Sequence, residues 1–164
     1  MTYNIGDKIA HPLHGAGSIS EIENKRVNGK NRSYYVMHIQ RGDMRVMIPV
    51  DSCEQIGIRP IIAKEQVDEI FSAIPDIEIA EDTNWNKRYR ENMVHIKSGD
   101  LLEVAGVIKS LVRRESKLGL SNGERKMLHS AKQILISEIV LAKSMDYSDA
   151  EARVNSLMLI KESA

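Results

Sequence analysis

The chain has 164 residues with no net formal charge, and 42% of its residues are hydrophobic while 28% are charged. These values are typical of a soluble globular protein with one medium domain or two small ones. No apolar run is long enough to span a bilayer and the N-terminus has no signal pattern, so we expect a cytoplasmic protein without a membrane partner. The single cysteine, Cys53, cannot form an internal disulfide, which agrees with a reducing compartment.

The first 59 residues have the pattern of short β-strands separated by tight turns. Apolar-rich runs occupy residues 8–10, 17–23, 33–39 and 44–49. The connections at residues 14–17, 28–31 and 41–43 contain glycine, which supplies the positive φ angles that tight turns need. Four or five strands joined in this way predict a small, strongly bent antiparallel sheet or barrel.

From Pro60 onward the hydrophobic period changes from two to about 3.6, which predicts helices. The predicted helices cover residues 62–74, which Pro75 ends, then 83–98, which Thr83 caps, then 100–118, and two more that begin at capping boxes, Ser121 with Glu124 and Ser148 with Glu151, the last running through Lys161. The sequence therefore predicts an α+β protein of two domains, with a β domain at residues 1–59 and a compact all-α domain of about five helices at residues 60–164.

The zero net charge conceals an uneven distribution along the chain. Residues 1–83 contain 9 basic and 13 acidic residues, residues 84–132 contain 11 and 5, and residues 133–164 contain 3 and 5. A basic segment between two acidic ones is expected when one part of a protein meets DNA and another part meets a different partner. Long helices with a solvated basic face give the same count, so both interpretations stay open.

The basic segment contains the only tryptophan, Trp85, with Lys87, Arg88 and Arg90 close behind it. A flat apolar ring beside cations can stack on bases or wedge between them while the cations hold phosphates. The same ring heads an apolar helical stripe with Tyr89, so a position in the core is the alternative. Further cations that favour DNA are Arg113, Arg114, Lys117, Arg125, Lys126 and Lys132.

Catalytic chemistry has little support in the sequence. His11, His14 and Cys53 are candidate ligands or nucleophiles, but no further clustered ligand or base accompanies them and no glycine-rich phosphate loop is present. We therefore expect no enzyme, no metal and no cofactor. A hydrolase that uses these residues is a weaker hypothesis, and it requires a cleft that gathers all of them.

Four segments carry distinctive sequences in a fixed order. They are IGDKIAHPLHGAG at residues 5–17, GDMRVMIP at 42–49, TNWNKRYR at 83–90 and GLSNGERKML at 119–128. Together they resemble the CarD/CdnL family of bacterial transcription regulators, and the resemblance covers nearly the whole chain.

This resemblance implies an N-terminal Tudor-like domain, shared with transcription-repair coupling factors, that binds the β subunit of RNA polymerase. It also implies a helical C-terminal domain that contacts promoter DNA at the upstream edge of the transcription bubble. Trp85 matches the family tryptophan that wedges into the minor groove there, which favours the opened duplex. We therefore expect a regulator that stabilises the open promoter complex. The alternative is a protein-interaction adaptor whose helical domain binds a protein instead of DNA.

The predicted contact residues follow by position in the family pattern and from the basic segments. The DNA-binding set is Trp85, Lys87, Arg88, Arg90, Arg113, Arg114, Arg125 and Lys126. The polymerase-binding set is Lys25, Arg26, Arg45 and Met47. The family pattern has arginine where this chain has Met47 and Lys25, which leaves open whether Arg45 and Arg26 replace those contacts. We expect a monomer, with a domain-swapped dimer as the alternative.

Overall fold

The computed structural model describes residues 3–79 and 84–159. The N-terminal part is a five-stranded antiparallel sheet in the order β4-β3-β2-β1-β5. Its strands are β1 (Lys8–His11), β2 (Gly15–Val27), β3 (Lys30–Ile39), β4 (Met44–Pro49) and β5 (Arg59–Pro60). The β2–β3 hairpin turns at Asn28 and Gly29, whose φ angles of 54° and 77° match the tight turn predicted there. A register shift between Ile19 and Glu21 marks a β-bulge, which bends β2.

One face of this sheet forms its own hydrophobic core. Alternate residues such as Tyr35, Met37 and Ile39 point to the same side of β3, and each is almost fully buried. Cys53, at the start of the short helix α1 (Cys53–Ile56), packs into the same cluster. The predicted strands are thus confirmed, and the short pairing of β5 with β1 adds an edge to them.

The rest of the described chain is helical, as predicted. The helices are α2 (Lys64–Ala73), α3 (Trp85–Ile96), α4 (Leu101–Lys117), α5 (Asn122–Lys143) and α6 (Tyr147–Met158), and short 3₁₀ turns occupy Val50–Ser52 and Ile74–Asp76. A second, separate core lies between these helices and is built from residues such as Ile74, Ile108 and Leu135. The prediction of an α+β protein with a β unit followed by an all-α unit is confirmed.

Side-chain caps fix where α4 and α5 begin. Asp100 caps α4 by accepting a hydrogen bond from the Leu102 amide at 2.8 Å. Ser121 caps α5 by accepting from the Glu124 amide at 3.2 Å, while the Glu124 carboxylate lies 3.4 Å from the Ser121 amide. The first predicted capping box is therefore confirmed.

The second predicted capping box is wrong. Helix α6 begins at Tyr147 with Asp146 at the N-cap, so Ser148 lies inside the first turn. The Asp146 side chain accepts no capping hydrogen bond, so a side-chain cap does not set this helix start. The Arg41 guanidinium, in the turn between β3 and β4, lies 3.8 Å from the centre of the Tyr147 ring, and this contact favours the observed start.

Two predicted helix ends, Thr83 and Lys161, lie outside the described residues. The N-cap of α3 is Asn84, whose side chain accepts a hydrogen bond from the Lys87 amide at 3.1 Å. Helix α2 ends at Ala73, and Pro75 lies in the 3₁₀ turn that follows it.

A fully buried lysine anchors the segment after α2. The Lys109 ammonium, on α4, donates hydrogen bonds of 2.8 to 2.9 Å to the carbonyl oxygens of Ile74, Pro75 and Ile77. A buried charge is tolerated when its hydrogen-bonding capacity is filled, and three acceptors match the three ammonium protons. Lys109 therefore holds the connection that leads from α2 towards α3.

The sheet and the helices meet at a tightly packed joint. Arg59, on β5, forms a two-pronged ion pair of 2.6 and 2.9 Å with Glu138, a residue of α5 that is 1% exposed. Nearby, the Ser137 hydroxyl accepts a hydrogen bond from the Ala16 amide at 2.9 Å. A Cβ atom at Gly15 would lie 2.4 Å from that hydroxyl oxygen, so only glycine fits where the β1–β2 turn touches α5.

Candidate functional site

Trp85 lies on the surface at the first position of α3. Its side chain is large and apolar, yet the residue is 42% exposed. One face of the indole stacks on Tyr89, with ring centres 5.1 Å apart and planes 19° apart. A Cβ atom added at Gly123 would be 3.8 Å from both rings, so the N-terminal turn of α5 lies alongside the pair. The ring is thus neither buried core nor a loose surface side chain.

A hydrogen bond connects the indole to the start of α5. Trp85 Nε1 donates to Ser121 Oγ at 3.2 Å, and Ser121 is also the N-cap of that helix. The Ser121 hydroxyl in turn donates to Glu124 Oε1 at 3.1 Å. The capping box and the exposed tryptophan are therefore one network.

Glu124 gathers two of the predicted DNA-binding arginines. Its carboxylate oxygen Oε2 lies 3.6 Å from Arg88 Nη2 on α3 and 3.6 Å from Arg114 Nε on α4. The side chains of Glu124 and Arg88 are only 6% and 11% exposed, and that of Arg114 is 30% exposed. The buried carboxylate therefore joins the beginning of α3, the end of α4 and the beginning of α5.

The remaining predicted DNA-binding cations lie nearer to solvent. Lys87 and Arg90 on α3, with Arg125 and Lys126 on α5, are exposed, whereas Arg113 is half-buried. Asn84, Trp85, Asn86, Tyr89 and Arg90 line a shallow surface hollow. The term "tryptophan corner" below denotes Trp85, Tyr89, Ser121 and Glu124 with the exposed cations Lys87, Arg90, Arg125 and Lys126.

The predicted polymerase-binding residues divide between the two faces of the sheet. Arg45 and Met47 are two residues apart on β4 and therefore share a face. Lys25, on β2, reaches that face because its ammonium lies 3.4 Å from Met47 Sδ. Arg26 follows Lys25 directly in β2 and points to the opposite side.

Carboxylates surround the arginine on that face. Arg45 Nη2 forms an ion pair with Glu21 and lies 3.8 Å from Glu23 Oε1, both on β2. The side chains of Arg45 and Glu21 are 57% and 46% exposed. The term "β4 face" below denotes Lys25, Arg45 and Met47 with these two glutamates.

The candidate catalytic residues do not share one environment. The rings of His11 and His14 lie 4.5 Å apart beside the joint, whereas Cys53 lies in the core of the sheet. Burial lowers the pKa of His11 to about 4, with a smaller contribution from His14, and burial raises the pKa of the Cys53 thiol. Among residues 3–79 and 84–159, no group of three or more His, Cys, Asp or Glu side chains is arranged to hold a metal ion.

Within the same residues, none of the helices combines the length and the apolar character needed to cross a membrane.

Sequence reasoning did not identify Ser121 and Glu124 as neighbours of Trp85. Both residues were predicted to cap α5, but no local pattern relates position 85 to position 121. The inward position of Arg88 was also missed, because a cation on an amphipathic helix is ordinarily solvated. The sequence signal for this inward ion pair is Glu124, the only acidic residue in the segment from 119 to 128, which lies directly before two cations.

Two family models match the chain in succession. The model described as "CarD-like/TRCF RID domain" matches residues 3–62, and the model described as "CarD, C-terminal domain" matches residues 69–155. The Bacillus subtilis (strain 168) protein described as "Putative transcription factor YdeB" is 34% identical over 143 residues, which are 87% of this chain and 94% of that protein.

Two solved structures are similar to part of the chain. The solution structure of the 72-residue N-terminal domain of Myxococcus xanthus CarD is 27% identical, has a TM-score of 0.32, and matches 36% of this chain and 79% of that one. CdnLNt from the same organism is 37% identical, has a TM-score of 0.33, and matches 38% of this chain and 87% of that one.

A sheet unit of the RNA polymerase-interacting class followed by a CarD C-terminal helical unit defines a transcription factor. The chain belongs to the CarD family, as its sequence predicts. The polymerase-interacting class of its first unit implies that RNA polymerase is a partner.

Proposed function

We propose that the protein links the β subunit of RNA polymerase to promoter DNA and stabilises the open promoter complex. In this proposal residues 1–59 form the polymerase-binding domain and residues 60–164 form the DNA-binding domain. The protein acts as a monomer in the cytoplasm, where the polymerase works, and it has no catalytic activity.

The observation that carries the proposal is the braced but exposed ring of Trp85. It is 42% exposed, although it stacks on Tyr89 and donates a hydrogen bond to Ser121. A large flat apolar ring that these contacts hold in a defined position at the surface is available to pack against another molecule. An apolar group inserted beside an unstacked base step offsets part of the cost of opening the duplex.

The charges around the ring favour DNA as its partner. The four exposed cations of the tryptophan corner, Lys87, Arg90, Arg125 and Lys126, lie on the helices that hold the ring and can neutralise phosphates of the bound DNA. The more buried Arg88 and Arg114 have a different role in this proposal. Held against Glu124 at the start of α5, Arg88 connects α3 and Arg114 connects α4 to that helix, and so they keep the start of α3, with its ring, in place beside α5.

The β4 face is the proposed contact with the polymerase. It presents the apolar Met47 beside the Lys25 ammonium, 3.4 Å away, and the exposed Arg45. Lys25 reaches Met47 from β2, across the intervening β3, so we propose that its ammonium keeps a cation next to position 47. Arg26 lies on the other face of β2, so we propose that it contributes less.

The decisive experiment replaces Trp85 and measures how long open complexes survive after a competitor is added. Trp85→Ala should shorten this lifetime by about tenfold, because the wedge that offsets unstacking is lost. Trp85→Phe keeps an aromatic ring and should retain part of the effect. Binding of both variants to the β subunit should equal that of the wild type. An unchanged lifetime of the open complex with folded Trp85→Ala would contradict the proposed wedge role of Trp85.

Salt dependence separates DNA binding from the adaptor alternative. If about four phosphates are neutralised, affinity for promoter DNA should fall on the order of a hundredfold from about 50 to about 200 mM salt. An affinity that does not change with salt, or no DNA binding even at low salt, would favour a protein partner for the helical unit.

A further inference from the structure

The Ser121 hydroxyl lies where the exposed tryptophan meets the buried carboxylate. It accepts hydrogen bonds from Trp85 Nε1 and from the Glu124 amide, both at 3.2 Å, and it donates to Glu124 Oε1 at 3.1 Å. A serine hydroxyl has one proton to donate and two lone pairs to accept with, so these contacts use its full capacity. An N-cap serine needs only the contact with the backbone amide to perform its capping role.

The hydrogen bond from Trp85 Nε1 to Ser121 restricts a motion of the indole ring that stacking leaves free. Stacking on Tyr89 at 5.1 Å holds one face of the indole but allows the ring to slide and turn in its own plane. A directional hydrogen bond at Nε1 fixes which edge faces α5, and therefore which edge faces solvent.

Ser121 is in turn held by the buried carboxylate of Glu124. Glu124 is almost fully buried and lies 3.6 Å from cationic nitrogens of both Arg88 and Arg114. A continuous series of contacts thus runs from buried charges on three helices, through one hydroxyl, to the exposed ring.

We propose that Ser121 is a positioning residue for Trp85 and that it fixes the orientation in which the ring enters DNA. This inference rests on the proposed function, since the orientation matters only if the ring contacts DNA. Ser121 acts through Trp85 and needs no DNA contact of its own.

The test uses Ser121→Ala, which removes the hydroxyl, and Ser121→Thr, which keeps it. Because Ser121→Ala also removes a helix cap, a matched control is needed. Asp100→Ala removes the side-chain cap of α4, which accepts from the Leu102 amide at 2.8 Å, and Asp100 belongs to a different helix start. Both alanine variants should lower the melting temperature by similar amounts, so an effect confined to Ser121→Ala cannot come from lost capping alone.

The first readout is the indole N–H resonance of the free protein. The chain contains one tryptophan, so this signal needs no assignment. In Ser121→Ala the resonance should shift, and its exchange with solvent should accelerate by about three- to tenfold. Ser121→Thr and Asp100→Ala should leave it near the wild-type position. An unchanged resonance and exchange rate in folded Ser121→Ala would overturn the inference.

The second readout is the lifetime of the open complex. Ser121→Ala should shorten it by about three- to tenfold, and Ser121→Thr should restore most of the loss. In the Trp85→Phe background, which has no indole N–H, Ser121→Ala should cause no further change. An equal loss in both backgrounds would show that Ser121 acts by another route and would overturn the inference.

Failure of the two proposals is distinguishable. If Trp85→Ala leaves the lifetime unchanged, the proposed function fails and the positioning role fails with it. If Trp85→Ala shortens the lifetime but Ser121→Ala does not, only the positioning role is overturned.

Discussion

The β4 face and the tryptophan corner both contain an arginine paired with a glutamate, but the two pairs differ in burial. Arg45 and Glu21 are about half exposed, whereas Arg88 and Glu124 are 11% and 6% exposed. An exposed ion pair contributes little to stability and exchanges its partner readily, while removing one member of a buried pair leaves an uncompensated charge. The same two residue types therefore form a structural anchor between the helices and, on the sheet, an exposed pair that we propose as a binding group.

The largest expected effect comes from breaking the buried pair. Glu124→Ala should lower the free energy of unfolding by about 3 kcal/mol, because Arg88 and Arg114 lose their carboxylate and α5 loses part of its cap. Urea denaturation measures this loss. Glu21→Ala on the β4 face is the matched control, and it should cost less than about 1 kcal/mol. If both variants lost the same free energy of unfolding, burial would not explain the difference between the two ion pairs.

Burial also makes a prediction for His11, beside the joint between sheet and helices. Its folded pKa of about 4 lies below the ordinary value of 6.5, so the unfolded chain binds the proton more tightly. The stability that this difference contributes is complete above pH 6.5, is lost as pH falls towards 4, and by pH 5 is reduced by about 2 kcal/mol. Urea midpoints at neutral pH and at pH 5 should therefore differ less in His11→Asn than in the wild type. An identical pH dependence in the two proteins would contradict the assignment.

Reversing the exposed charge should affect binding more than stability. Arg45→Glu places a third carboxylate beside Glu21 and Glu23, and we expect its affinity for the β subunit to fall by about tenfold while the protein stays folded. A titration with the purified subunit measures the affinity. Arg26→Glu, on the opposite side of β2, is the matched control and should have a smaller effect. If the control lost as much affinity, the contact surface would not be the β4 face.

The smallest expected effect is at Gly123. A methyl group there would lie 3.8 Å from the rings of Trp85 and Tyr89, which is ordinary van der Waals contact. Gly123→Ala should raise the free energy of unfolding by about 0.5 kcal/mol, because alanine restricts the unfolded chain more than glycine does. The lifetime of the open complex should stay within about twofold of the wild type. A much larger loss would indicate that the ring must move into the space above Gly123 when it meets DNA.

Local patterns in the sequence predict most of the fold. The apolar runs and glycine-containing turns of the first 59 residues, the helical period after Pro60 and the pairing of Ser121 with Glu124 all act over a few residues, so one sequence contains their signal. The error at Ser148 has the same origin. Two good capping residues stand two positions apart, and a contact with the distant Arg41 favours the earlier start.

The arrangement of the candidate site was harder to predict because its decisive contacts join distant segments. The sequence identifies Trp85 and its neighbouring cations, but it does not show which cations face inward. Arg88 and Arg114 meet Glu124 only after α3, α4 and α5 have packed together. The joint between Arg59 and Glu138 likewise spans 79 positions of sequence.

That joint has a consequence for how the protein would choose its place on DNA. The Arg59–Glu138 ion pair and the close approach of Gly15 to Ser137 join the sheet to α5, and we expect them to keep the spacing between the tryptophan corner and the β4 face nearly constant. If one end holds the polymerase, the ring can reach only the base step that lies at that spacing, and its local concentration there is high. The joint between the sheet and α5 would thus set the distance between the polymerase contact and the base step that the ring reaches. Location along the promoter would be measured from the enzyme, and the DNA sequence itself would not have to be read.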